Sequence, residues 1–118
     1  MKLAADIVVG LVALLHLWFL VLEMFLWTQP LGRRTFGNSV EKAETTKVLA
    51  ANQGLYNGFL VAGLVWGLLL GDAGHSIKLF FLGCIVVAGI YGAISVSRRI
   101  FFVQALPALI GIVLLLVG

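Results

Sequence analysis

Charge is what this chain has least of. Asp, Glu, Lys and Arg make up 11% of its 118 residues, whereas 62% are hydrophobic and the mean hydropathy is +1.13. A soluble domain carries about twice that charged fraction. Too few charges are present to cover a water-facing surface, so the composition excludes a soluble globule and implies an integral membrane protein. The one cysteine, Cys84, lies in an apolar run and excludes an internal disulfide. There is no Gly-rich phosphate loop and no nucleophile elbow. His16 and Glu23 stand seven residues apart on one helix with no cysteine nearby, so they cannot close a metal coordination sphere alone. No cofactor is expected. The net charge of +3 does not point to nucleic acid, because the basic residues sit in the connections between apolar runs, where membrane orientation accounts for them.

What is present is apolar length. The expected fold is all-α: a polytopic membrane protein, one four-helix transmembrane domain over residues 1–118, with spans at about 7–27, 47–70, 77–96 and 100–118. The first run has the interruptions His16 and Glu23 and no small-residue cleavage site before Trp27, so it reads as a retained span rather than a signal peptide. Gln29-Pro30 ends it. In the charged loop of residues 28–46, Asn38 with Glu41 resembles a capping box, which would place a short surface helix before span two. His75 reads as a solvated loop histidine, and Pro107 as a kink in span four. Arg33, Arg34, Lys42, Lys47, Arg98 and Arg99, six of the eight basic residues, follow spans one and three. Basic loops stay cytoplasmic, so both termini are expected outside, in a multi-pass cell-membrane protein.

The stretch from Val48 to Leu60 carries Asn52, Gln53 and Asn57 within an apolar segment, together with Gly54 and Gly58. On a helix Asn52, Gln53, Tyr56 and Asn57 share an arc of about 140°. The two glycines lie on another face, open to close helix approach. Counting residues from the connecting loops puts Glu23, Asn52, Gln53, Tyr91 and Gln104 at one depth, and His16 and Asn57 nearer the middle. Amides in a span commonly act as interhelical glue worth about 1 kcal/mol each. Glu23 is different. An ionisable side chain inside a span costs at least about 2.5 kcal/mol, and an amide would serve as glue without that cost. The candidate ligand-binding set is therefore His16, Glu23, Asn52, Gln53, Tyr56, Asn57, Tyr91 and Gln104, with Glu23 and His16 the candidates for acid–base chemistry.

His16, the run Val21-Leu22-Glu23-Met24-Phe25-Leu26-Trp27 and the run Val48-Leu49-Ala50-Ala51-Asn52-Gln53-Gly54-Leu55-Tyr56-Asn57-Gly58 resemble the domain-of-unknown-function family thirteen-oh-four of small integral membrane proteins. The resemblance covers nearly the whole chain. It implies four membrane helices, matches His16, Glu23, Asn52, Gln53 and Asn57 to the family's polar positions, and supplies no activity. Three functions fit these residues. The first is binding or transport of a small or lipophilic molecule by a homo-oligomer, dimer or trimer, in the bilayer, with Glu23 exchanging a proton for the ligand. The second is an intramembrane enzyme using His16 and Glu23 as acid and base. The third is a structural or accessory subunit with a stabilising polar core.

Overall fold

Long apolar runs with few breakers fold as helices here because only a helix satisfies every backbone group within its own segment. The computed structural model describes residues 2–118, and among them every regular element is helical. The order is α1 (Lys2–Met24), α2 (Pro30–Phe36), α3 (Val40–Leu69), a 3-10 turn (Gly71–Gly74), α4 (His75–Ser95), a π-helical turn (Phe101–Ala105) and α5 (Leu106–Val117). Three helical stretches, Lys2–Met24, Val40–Leu69 and Gly71–Ser95, are long and apolar enough to cross a membrane; the apolar helix over Phe101–Val117 is shorter.

Residues 14–61 form one unit. Its first helix ends at Met24, three residues before the expected Trp27, because Leu26 N–H turns back to the Val21 carbonyl at 3.1 Å. Gln29 is extended, as a residue before proline should be, and Pro30 opens α2 where a missing N–H does no harm. Gly37 ends α2 at φ 67°, in the left-handed region that glycine enters freely, and donates its N–H to the Arg33 carbonyl. The short helix thus lies before Asn38, not after it. Ser39, rather than Asn38, caps α3: its Oγ accepts from Lys42 N–H at 3.1 Å. α3 consequently starts at Val40, seven residues ahead of the expected 47.

The other unit comprises residues 2–13 and 62–118. Small residues set its helix contacts. A Cβ on Gly63 would strike the Phe81 ring, and one on Gly111 would sit 3.1 Å from Leu82 Cδ1. Gly89 faces the backbone of Ala105, and Gly92 faces Ile100. The pairs 82–111, 89–105 and 92–100 run in opposite directions, so α5 returns antiparallel along α4. Pro107 has no N–H and its ring crowds the carbonyl four residues back. The chain widens just before it, where Leu106 N–H reaches the Phe101 carbonyl in a π-helical turn, so the expected disturbance at Pro107 takes this form.

Candidate functional site

The site grows from two sequence features of the 14–61 unit: a carboxylate near the end of α1 and a glycine pair on α3. Gly54 and Gly58 remove side chains where α1 passes. A Cβ on Gly54 would lie 2.5 Å from Met24 Cγ and 3.2 Å from Glu23 Cβ, and one on Gly58 would lie 3.0 Å from Leu20 Cδ1. At that spacing Asn57 Nδ2 donates to Glu23 Oε1 at 2.6 Å, part-buried between the helices. This short bond from an amide to a carboxyl oxygen ties α1 to α3.

His16 stands two turns before Glu23 on nearly the same stripe, about 20° away around the helix and about 10 Å along it. It is fully buried, with its ring edge-on to Phe19 at a centroid distance of 5.2 Å. Among the described residues, no buried side-chain nitrogen or oxygen lacks a hydrogen-bond partner.

Three of the other expected members share α3 with Asn57. Asn52 is exposed and donates to the carbonyl of Val48 in its own helix at 2.8 Å. Gln53 is exposed, and so is Tyr56, whose ring lies near Phe59. Tyr91 and Gln104 belong to the other unit: Tyr91 is exposed and its carbonyl accepts from Ser95, while Gln104 is half-buried in the π-helical turn. Counting from the loop therefore chose the wrong partner for Glu23 by five residues, roughly 7.5 Å of helix. The reason is an asymmetric connection. α1 stops one residue after Glu23, whereas Asn57 lies 17 residues into α3, so α3 overhangs by roughly four turns. Trp27 lies beside the overhang, donating from Nε1 to Thr46 Oγ1 at 3.1 Å and resting against Phe36 of α2.

One polar cluster was missed altogether. Lys78 is buried and ion-paired to Asp6 at 2.9 Å, at the beginnings of α4 and α1. The available signal was a pair of opposite charges, each in the first turns of an apolar helix that starts on the same side.

A family model described as "Protein of unknown function (DUF1304)" matches residues 10–116. The chain belongs to this family. A relative, "Uncharacterized protein YpaA" of Lactococcus lactis subsp. lactis (strain IL1403), is 29% identical over 105 residues, covering 87% of this chain and 88% of its own length. No solved structure matches. The family match agrees with the resemblance carried by the His16, Glu23 and Asn52–Gly58 motifs.

Proposed function

We propose that this DUF1304 chain is a four-span membrane domain over residues 1–118 that binds or transports a small or lipophilic molecule at Glu23, with Asn57 and His16 as its neighbours. The observation that supports this is the Asn57–Glu23 bond at 2.6 Å between two helices held close by glycine. A carboxyl group in a span is expensive, and such residues mark ligand or proton pathways. Asn57 holds the carboxyl through Oε1, and in this reading the other oxygen meets the proton or the ligand. Asn52, Gln53 and Tyr56 form the adjoining exposed face of α3, and they belong to this reading as the surface on which a second copy completes the site. A dimer or trimer in mild detergent is expected by light scattering; a monomer at all concentrations removes that part of the reading.

The experiment uses purified protein in vesicles with an entrapped pH-sensitive dye. Lipophilic amines and acids are added one at a time against an imposed pH gradient. A compound-evoked proton flux is expected with the parent and lost with Glu23→Gln, which preserves size and hydrogen bonding. Equal responses from both proteins would exclude Glu23 as the exchanging group.

A second reading is structural. It is favoured by the satisfied state of the buried polar atoms among the described residues. In that case Glu23 and Asn57 only hold α1 to α3, and Glu23→Gln, which keeps the acceptor, behaves like the parent in every assay.

A further inference from the structure

A different group of charges gathers at one end of the unit built from residues 2–13 and 62–118. Lys2, Ala5 and Asp6 from the start of α1, Asp72 from the 3-10 turn, His75 and Lys78 from the start of α4, and the end of α5 around Leu114–Leu116 line a cleft of about 420 Å³. That is within the size range of small-molecule sites. Lys78 forms one wall. Its side chain is 6% exposed, and its ammonium donates to Asp6 Oδ1 at 2.9 Å. Opposite charges meet again at the mouth, where Lys2 Nζ donates to Asp72 Oδ1 at 3.2 Å with both side chains largely exposed.

Lys78 is placed there by the packing around it. A Cβ on Gly67 would lie 2.6 Å from Lys78 Cγ, so the glycine opens the slot that takes the lysine stem. An ammonium this buried is costly unless it is paired, and Asp6 supplies the pair. Fixing membrane orientation needs no such burial, since a surface lysine does that.

The charges decide what the cleft can hold. A lone anion drawn to Lys2 and Lys78 meets Asp6 and Asp72, and a lone cation drawn to the aspartates meets both lysines. Among the described residues, His75, Asp6 and Asp72 do not converge as a metal site. A molecule carrying both charges side by side satisfies both pairs. The cleft lies where three apolar helices begin or end, the depth at which lipid headgroups stand beside a span. Its leucine wall suits a hydrocarbon chain.

From these observations we infer that the cleft binds a zwitterionic headgroup bearing a primary ammonium and a phosphate. The ammonium is held by Asp6 and Asp72, and the phosphate by Lys2, Lys78 and His75. The group reaches the cleft either on a phospholipid, whose acyl chain lies along Leu114–Leu116, or as a free phosphoethanolamine from the aqueous phase.

The test is native mass spectrometry of the full chain in detergent, titrated with phosphatidylethanolamine, phosphatidylcholine or phosphatidylglycerol of identical acyl chains. Phosphatidylcholine keeps the charge pattern but cannot donate ammonium hydrogen bonds, and phosphatidylglycerol lacks the cation. Loss of one charge-assisted bond predicts about tenfold weaker binding of each. Lys2→Gln/Asp72→Asn, which alters only exposed groups, should abolish the preference, and Asp6→Asn/Lys78→Met should do the same with the buried ammonium and its carboxylate partner removed together. Competition by free phosphoethanolamine at equal concentration keeps the proposal and assigns the source to the aqueous phase; its failure to compete assigns the source to the lipid. Equal binding of all three lipids, or a preference that survives both double variants, overturns the proposal.

Discussion

Glu23 and Asn57 form a pair in which each residue is a liability without the other. Replacing Glu23 with Leu removes the acceptor of the Asn57 amide, whose bond is 2.6 Å long and part-buried. An unsatisfied polar group of that kind costs about 1–2 kcal/mol in a membrane protein. Glu23→Gln supplies an acceptor of the same reach, so its cost should stay within about 0.5 kcal/mol. The double change Glu23→Leu/Asn57→Leu removes donor and acceptor together and should recover most of the loss of either single change, because matched apolar partners are nearly neutral. Reversible unfolding in mixed micelles reads the parent and the four variants Glu23→Leu, Asn57→Leu, Glu23→Gln and the double change. Additive single costs in the double variant would show that the bond is not what stabilises this contact. Legibility at this scale was uneven. Glu23 stood out in the sequence because its charge is scarce and misplaced, and Asn57 stood out as an amide. Their pairing did not, since it depends on where α1 stops and α3 starts. Those limits were set by the Leu26–Val21 turn and the Ser39 cap, two local bonds without an apolar period to announce them.

The glycines separate contacts from spare positions along each helix. Gly54 meets Met24, Glu23 and the Leu20 carbonyl, whereas a Cβ on Gly83 finds nothing within 4 Å. Both lie inside helices, where alanine is favoured over glycine by about 1 kcal/mol. Gly83→Ala should therefore stabilise by a few tenths to about 1 kcal/mol. Gly54→Ala should destabilise by about 1–3 kcal/mol, because α1 must move away and the Asn57–Glu23 bond lengthens with it. Thermal denaturation in detergent gives both signs, and a stabilising Gly54→Ala would mean that α1 and α3 do not pack closely at this glycine. The sequence displayed the Gly54–Gly58 spacing and its meaning, close helix approach. It did not display the partner, because a small-residue face fits a neighbouring helix of the same chain as well as a second copy. Here the face is occupied by Leu20, Glu23 and Met24 of α1. Any self-association therefore has to use another surface, such as that of Asn52, Gln53 and Tyr56.

For the whole molecule, the expected number of bilayer crossings turns on the last apolar segment. Composition made the all-α membrane class plain, but apolar length alone leaves the last segment ambiguous. Phe101–Val117 extends about 25 Å at helical rise, short of the roughly 30 Å hydrocarbon core. Its path supplies the missing constraint. α5 runs antiparallel along α4, and Leu114–Leu116 and Gly118 line the same cleft as Lys2, Asp72 and His75. The end of the chain therefore returns to the side on which α1 and α4 begin. If α4 crosses from that side, Phe101–Val117 must cross back, with local thinning of the bilayer or snorkelling of Arg98 and Arg99 absorbing the mismatch. The expected outcome is four crossings, with residues 38 and 118 on opposite faces. In a Cys84→Ala background, Asn38→Cys and Gly118→Cys would be labelled one at a time with a membrane-impermeant maleimide, in intact and then in opened cells. The six basic residues after spans one and three predict protection at 38 and labelling at 118 in intact cells. Labelling at 38 with protection at 118 would keep the four crossings and reverse the orientation. Labelling at both positions in intact cells, or at neither until the cells are opened, would place them on one face and reduce the crossings to three.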